Sequence, residues 1–427
     1  MDAVVLLGSL LLLIAARVPV AYALGLAALV GAWWIDIPLE AVMLKISDGV
    51  SRFALLAIPF FVLAGAIMAE GGMARRLVNM AFVLVGWIRG GLSLVNILAS
   101  SLFGCISGSS VADTASIGTV MIPQMVKAGY PRIFATNVTV CGSVQAILIP
   151  PSHNAVIYSL AAGGSISIAS LFLAGVFPGL LLGGALITLC LIISYRRGYP
   201  KGEAVPVRQA VRIVLDALWG LGTMVIILGG ILSGVFTATE SASVACVYAF
   251  LVTMVVYRDY KWRDLPKLMH RTVKTVAMVM ILIGFASAFG YMMALMQLPA
   301  KLTAFLLTVS DNKYAVLLMI NIMLLALGTL MDLAPLLLIC TPILLPVVTT
   351  FGVDPVHFGM IMLVNLGLGL VTPPVGTALF VGCAVGKITM EQAMKGIWPF
   401  YGAMLVVLGL VTYVPAISLW LPSMIGP

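Results

Sequence analysis

Long apolar runs without period-two alternation constrain this chain more than any other feature. "AVVLLGSLLLLIAA" opens it, and Ile213–Gly234 and Ala242–Tyr257 are two further examples. In hydrocarbon every backbone N–H and C=O must be satisfied within the segment, which leaves α-helices or closed β-barrels. A barrel strand alternates apolar and polar residues over roughly ten positions, and these runs do not. Of the 427 residues, 62% are hydrophobic and 9% charged, against about 25% charged in a soluble protein. The chain therefore reads as an all-α polytopic membrane protein. At about 20 residues per crossing, its length allows roughly ten to twelve hydrophobic segments.

The six cysteines and three histidines are scattered through the chain without paired spacing. They suggest neither a disulfide framework nor a metal knuckle. No basic n-region precedes the first apolar run, so it reads as a retained segment and not a cleaved signal. Basic residues are concentrated in two clusters, Arg196, Arg197, Lys201, Arg208 and Arg212, then Arg258, Lys261, Arg263, Lys267, Arg271 and Lys274; together they hold 11 of the 23 Lys and Arg. Two apolar runs joined by "VFTATES" separate them, with Glu240 in the turn. Two crossings return the chain to its starting side, so both clusters can face the cytoplasm. Loop topology accounts for the net charge of +8, and no nucleic-acid partner is implied.

Within this apolar background, "ILIPPSHNAV" (Ile147–Val156) places Pro150 and Pro151 where a spanning helix would run. Proline in a helix interior costs about 3 kcal/mol. Shifting the sequence by 223 residues aligns Pro123 with Pro346, Gly129 with Gly352, and Pro150-Pro151 with Pro373-Pro374. Ala155 then meets Ala378, and Gly163 meets Gly386. Two structural repeats follow, as in many transporter folds.

Upstream of each Pro-Pro lies an apolar run interrupted by polar residues, at Ser107 to Ser110 in the first half and at Gly328, Thr329, Asp332 and Pro335 in the second. Each run reads as a helical hairpin turning back inside the membrane, a shape tolerated only where it is buried or lines a wet cavity. Between Arg76 and Arg89 the apolar stretch is too short to span. Gly71, Gly72, Gly90 and Gly91 bracket it, so an interfacial arm is expected there. The basic "KWRDLPKLMHRTVKT" suggests a second interfacial segment.

Ionisable residues inside a membrane segment are expensive, which singles out Asp113 and Asp332. Asp113 admits a bland alternative as the cap of the second hairpin helix, with Thr114 as a rival cap. Oxygen ligands suit a hard cation such as Na⁺, broken helices expose carbonyls, and half-helix N-termini attract anions. Ser107, Ser109, Gly142, Ser143 and Gln145 approach the first break; Gly328, Thr329, Gly367, Gly369 and Thr372 approach the second. Gly142, Gly367 and Gly369 could equally serve close helix packing, and Ser109 and Ser110 could bond back to their own helix. His153 and Asn154 could meet a carboxylate or polyol, or satisfy backbone groups freed by the break.

The tips "SGSSVADTASIG" and "GTLMDLAP", the pair "IPPS" and "TPPVGTALF", and "PFFVLAGAIM" resemble the large membrane subunit of tripartite ATP-independent periplasmic (TRAP) transporters, over essentially the whole chain. That resemblance implies an elevator-type secondary transporter with two inverted repeats, each with a re-entrant hairpin and a Pro-Pro-broken helix. It implies Na⁺-coupled uptake of an organic acid across the bacterial inner membrane, with a small four-helix membrane subunit and a periplasmic substrate-binding protein as partners. Since Met1 leads straight into the large-subunit pattern, a separate small subunit is expected.

By the same resemblance, one cation site would combine Ser107, Gly108, Ser109 and Ser110 with Gly142, Ser143, Gln145 and Pro150. The other would combine Gly328, Thr329, Met331 and Asp332 with Gly367, Gly369 and Thr372. Substrate would sit near Asp332, Pro151, Ser152 and Thr377, with His153 and Asn154 beside it. The expected division is 1–58 N-terminal scaffold, 59–91 scaffold helix and arm, 92–163 first transport repeat and 164–275 scaffold with a second arm. There follow 276–313 as connecting helices, 314–390 as the second transport repeat and 391–427 as a C-terminal helix. "PPSHNAVIYSLAAGG" is closer to the sialic-acid branch than to the C4-dicarboxylate branch, although the binding protein usually sets which ligand arrives.

Two rival readings come from other classes. An intramembrane aspartyl protease would use Asp113 and Asp332, but its usual Tyr-Asp and Gly-x-Gly-Asp contexts are absent. A passive channel has no need of matched broken helices. An ATP-driven pump would need a G-x-x-x-x-G-K-[ST] loop, which the sequence lacks.

Overall fold

The computed structural model describes residues 2–425 apart from position 203. All its named elements are helices, and the β contact among the described residues is an isolated bridge between Arg89 and Lys201. Among those residues eight helices are long and apolar enough to cross a bilayer, or nine if one bent pair counts as a span. Shorter apolar helices of 10–17 residues include Gly91–Ser107, one arm of the first hairpin, and Pro355–Gly369 and Thr377–Gly386, the pieces of the second broken helix. Both arms of the second hairpin, Lys313–Leu330 and Leu333–Thr350, are among the eight.

One end of the molecule gathers the basic clusters. Helix Ile168–Arg197 ends on Arg196 and Arg197, and Val207–Leu232 with Ala238–Tyr257 are the two crossings that return the chain. The short helix Met73–Val85 is tied to the same end. Its Arg76 pairs with Asp216 at 3.0 Å and with Asp259, and lies 3.7 Å from the Tyr257 ring centroid. Arg89 Nε donates to the Tyr199 carbonyl at 3.2 Å, and Arg271 pairs with Glu70. The arm is bracketed by left-handed Gly72 (φ +70°) and Gly90 (φ +73°), a conformation with little penalty for glycine.

The second expected arm takes a different form. Leu265–Leu295 is one continuous helix of 31 residues, so the basic stretch shares a helix with the apolar run that follows it. Pro266 sits in its first turn, where a missing N–H is harmless. No glycine or further proline occurs before Gly284, so nothing in the basic segment stops the helix.

The repeat is plain in the backbone. Ser110–Lys127 and Leu333–Thr350, the second arms of the two hairpins, begin and end 223 residues apart. Both tandem prolines have cis peptide bonds. In the first half the break separates Arg132–Leu148 from His153–Ala161 with a bend of 52°. In the second it separates Pro355–Gly369 from Thr377–Gly386.

Contacts with helix Met390–Tyr413 fix the relative direction of the repeats. Asn137 Nδ2, near the start of the first broken helix, donates to the Ala393 carbonyl at 2.9 Å. His357 Nε2, at the start of the second, is 2.8 Å from the Val411 carbonyl. Those carbonyls lie about 27 Å apart along the helix at 1.5 Å per residue, so the two broken helices start from opposite ends of it. They cross where a Cβ on Gly367 would lie 2.8 Å from Val144 Cγ1, and these two positions are equivalent in the repeat. Arg132 Nη1 donates to the Gly386 carbonyl at 3.3 Å, and the Tyr158 hydroxyl to the Pro355 carbonyl at 2.6 Å. Each broken helix thus starts beside the far end of the other, and the repeats are inverted.

Candidate functional site

Within each repeat the hairpin tip meets the break that follows it. Helix Gly91–Ser107 stops at Gly108 (φ +58°), whose N–H bonds the Gly104 carbonyl at 3.0 Å. Ser109 is extended, and its hydroxyl accepts from the Ala112 N–H at 3.4 Å. Ser109 is therefore the cap of the second arm, and neither Asp113 nor Thr114 fills that place. Across the tip, Asn154 Nδ2 donates to the Gly108 carbonyl at 3.2 Å. A Cβ on Gly108 would lie 3.1 Å from the Pro151 carbonyl oxygen and 3.2 Å from His153 Nδ1, so tip and break are in contact.

Behind this contact lies a cluster of oxygens. Ser110 Oγ is 2.6 Å from Ser143 Oγ, Thr114 Oγ1 donates to the same atom at 2.8 Å, and Ser143 Oγ donates to the Val140 carbonyl at 2.7 Å. Gln145 accepts from Ser101 and donates to the Gly142 carbonyl at 3.0 Å. Two groups are left over. Ser152 is 1% exposed with a hydroxyl lacking a hydrogen-bond partner, and Asp113 is 0% exposed with both carboxylate oxygens in that state. Ser100, beside Asp113, also has an unpartnered hydroxyl. Buried oxygens left without a donor in this way suit a bound cation or water. Thr114 and Ser100 were not singled out as site residues from the sequence, although small polar residues in a long apolar run were the available signal.

At the second tip, Met331 and Asp332 are extended between Lys313–Leu330 and Leu333–Thr350. Asp332 makes no side-chain cap bond; its Oδ1 accepts from Thr377 Oγ1 at 3.1 Å. The Val375 N–H donates to the Thr329 carbonyl at 3.1 Å, and Thr372 Oγ1 to the Leu368 carbonyl at 2.7 Å. Gly369 lies directly against Gly328: a Cβ on Gly369 would sit 2.6 Å from the Gly328 carbonyl oxygen. Close packing thus accounts for Gly369, set against backbone, and for Gly367, set against the Val144 side chain, whereas a Cβ on Gly142 would find its nearest atoms at 3.7 Å.

Ser109 and Asp332 are equivalent positions in the repeat, as are Asn154 and Thr377. Both members of the second pair donate from the start of the post-break helix onto their hairpin tip. His153-Asn154 is thus only half particular to the first repeat. Asp332 also borders a cavity of about 290 Å³ formed with Pro19–Tyr22 and the Met278–Leu282 stretch of helix Leu265–Leu295.

Among the described residues no three His, Cys, Asp or Glu side chains converge. The side-chain donors at both tips are hydroxyl, carboxamide and carboxylate oxygens, chemistry that fits a hard cation. The two aspartates do not form a dyad: Asp113 is fully buried, and Asp332 is exposed and bonded to Thr377.

The sequence matches the family described as "Tripartite ATP-independent periplasmic transporter, DctM component" over residues 7–417. It is 38% identical to the C4-dicarboxylate TRAP transporter large permease protein DctM of Rhodobacter capsulatus, covering 100% of both chains. It is 40% identical to the sialic acid TRAP transporter large permease protein SiaM of Vibrio cholerae, covering 88% of each. Among solved structures, the Alcanivorax borkumensis YdaH transporter, described as having an unusual topology, superposes with a TM-score of 0.63 at 16% identity, covering 91% of this chain and 90% of that one. That likeness bears on the fold alone.

Proposed function

The chain belongs to the DctM-component family of tripartite ATP-independent periplasmic transporters, and from that premise we propose that it is the large membrane subunit of a Na⁺-coupled importer of organic acids. It is a multi-pass transporter subunit, not an enzyme. In the proposed cycle it resides in the bacterial inner membrane with a small four-helix subunit, and a periplasmic binding protein delivers the substrate. Hairpins and broken helices move together against the remaining helices as an elevator.

The observation that carries this reading is the inverted pair of tip-to-break contacts, Asn154 on Gly108 and Thr377 on Asp332. Each places oxygen ligands beside the N-terminus of a post-break helix, where a cation and an anion can be held side by side. Na⁺ at the first tip would draw on Ser107, Gly108, Ser109, Ser110, Gly142, Ser143, Gln145 and Pro150. At the second it would draw on Gly328, Thr329, Met331, Asp332, Gly367, Gly369 and Thr372. The acid would lie between the tips, near Asp332, Thr377, Pro151, Ser152, His153 and Asn154. Relatives named for a C4-dicarboxylate and for sialic acid are about equally similar. We retain sialic acid as the first substrate to assay, on the "PPSHNAVIYSL" stretch, with a C4-dicarboxylate next.

Uptake into proteoliposomes containing the small subunit, with liganded binding protein outside, tests the coupling. Accumulation is expected to follow an imposed inward Na⁺ gradient, and uptake indifferent to Na⁺ would remove the coupling claim. Asp332→Asn is expected to cut uptake strongly with normal membrane insertion; wild-type uptake by that variant would take Asp332 out of the site.

A further inference from the structure

A second cavity, of about 140 Å³, lies farther along the same helix from the one at Asp332. Whereas the first is bordered by Met278–Leu282 and the hairpin residues Asp332, Ala334 and Pro335, this one is bordered by Ile283, Ser287 and Gly290, with Leu338 and Pro342 of the same hairpin arm. Its polar wall is Arg52, in the extended link between helix Leu39–Val50 and the turn Phe53–Leu56. Arg52 is exposed, and among the described residues its side chain makes no hydrogen bond or ion pair. A Cβ on Gly164, at the end of the first repeat, would lie 3.7 Å from Arg52 Nη1.

Position and chemistry narrow what this cavity can take. Eighteen residues of helix, Phe53–Glu70, separate Arg52 from the Glu70–Arg271 pair at the basic end. That is about 27 Å at 1.5 Å per residue, so Arg52 lies toward the opposite, periplasmic side by the distribution of basic residues. The planar fork of Arg52 matches a carboxylate with two parallel hydrogen bonds. Gly49, Gly163, Ser287 and Gly290 keep the facing walls low.

We propose that Arg52 and this cavity form a receiving site for the carboxylate of the transported acid, occupied before the acid reaches the tip at Asp332. The proposal rests on the organic-acid reading above and adds to it a named residue on the substrate's route. Arg52 stands on the side of the N-terminal helices and not on a hairpin, so it meets the acid as it arrives from the periplasm.

The test is the initial rate of binding-protein-dependent uptake by the two-subunit complex in proteoliposomes, with succinate and N-acetylneuraminate as probes and thermal stability of each purified variant alongside. Arg52→Gln is expected to lower the rate about tenfold or more, the effect of losing one charge-assisted contact. Arg52→Lys should recover part of it, since an ammonium keeps the charge without the fork. Gly290→Leu is the second probe. A Cβ there has nothing within 4 Å and the position lines the cavity, so a larger side chain would occupy that space; its rate should fall with Arg52 intact and stability unchanged.

Wild-type rates in both Arg52→Gln and Gly290→Leu overturn the proposal. Loss in Arg52→Gln, full rescue by lysine and a silent Gly290→Leu also overturn it, because Arg52 would then be serving lipid headgroups. A wild-type complex that carries a neutral polyol and neither acid removes the organic-acid reading and this proposal together. Acid uptake with silent variants removes this proposal alone.

Discussion

Replacing Gly369 by alanine puts a methyl group where the second hairpin leaves none. The new Cβ would lie 2.6 Å from the Gly328 carbonyl oxygen and 2.7 Å from both its carbonyl carbon and its Cα. All three atoms are backbone, so no rotamer can give way. Reaching even a tight 3.4 Å contact requires tip and break to separate by about 0.8 Å. The Val375 N–H to Thr329 carbonyl bond, 3.1 Å long and spanning the same gap, would stretch past hydrogen-bonding distance. Overpacking costs about 1–3 kcal/mol and the lost bond about 1 kcal/mol more. Thermal unfolding of the detergent-purified protein measures the sum, with Gly142→Ala as the control, since a Cβ there makes ordinary contacts at 3.7 Å. Gly369→Ala should melt well below wild type and Gly142→Ala within about 0.5 kcal/mol of it. Equal melting of Gly369→Ala and wild type would refute the close-packing account, as would Gly142→Ala falling as far as Gly369→Ala.

Two further substitutions separate structural from substrate roles at the first tip. Asn154→Ala leaves the Gly108 carbonyl without its donor at 3.2 Å, which should cost about 1–3 kcal/mol in thermal stability with the preference among acids unchanged. Unchanged stability with an altered preference would instead place Asn154 against the substrate. Asp113→Asn removes a fully buried carboxylate whose oxygens have no hydrogen-bond partner, so in Na⁺-free detergent the variant should be at least as stable as wild type. A loss above about 2 kcal/mol would show that the carboxylate is paired.

Much of the framework was legible because its signals are residues with one strong conformational consequence. Tandem prolines stop helices, and a shared offset of 223 residues then placed both breaks, both tips and the ends of both second hairpin arms. Gly72 and Gly90 marked the starts of helices Met73–Val85 and Gly91–Ser107 in the same way. Failures came where residues are conformationally neutral. The basic residues from Lys267 to Lys274 suit a helix end and a surface helix equally, so only the absence of a stop before Gly284 could have shown one helix running from them into the apolar run. The cap at the first tip went to Ser109 and not to Asp113, a difference set by the backbone turning at Gly108. The direction of one repeat against the other is a tertiary fact, set by where Asn137 and His357 meet helix Met390–Tyr413.

Inversion makes the two tips equivalent in position while the sequence makes them different in charge. Where the first repeat has Ser109, the second has Asp332, exposed to a cavity large enough for a small ligand. In the proposed cycle a carboxylate substrate must settle beside that aspartate. Two like charges about 4 Å apart repel by about 4 kcal/mol at an effective dielectric constant near 20, close to a thousandfold in affinity. A helix N-terminus offsets at most about 2 kcal/mol of this, so the acid is disfavoured at the second tip unless a cation arrives with it. Held between Asp332 and the carbonyls at Gly328 and Thr329, Na⁺ would turn the same two carboxylates into partners. Coupling at this tip would then need no separate device, because an empty cation site would itself keep the acid out. Asp332→Asn follows from this logic in a particular way: with the repulsion gone, the variant should take up residual acid with little dependence on Na⁺, and a variant whose remaining uptake is as steeply Na⁺-dependent as wild type would show that Asp332 is not the charge that links the two.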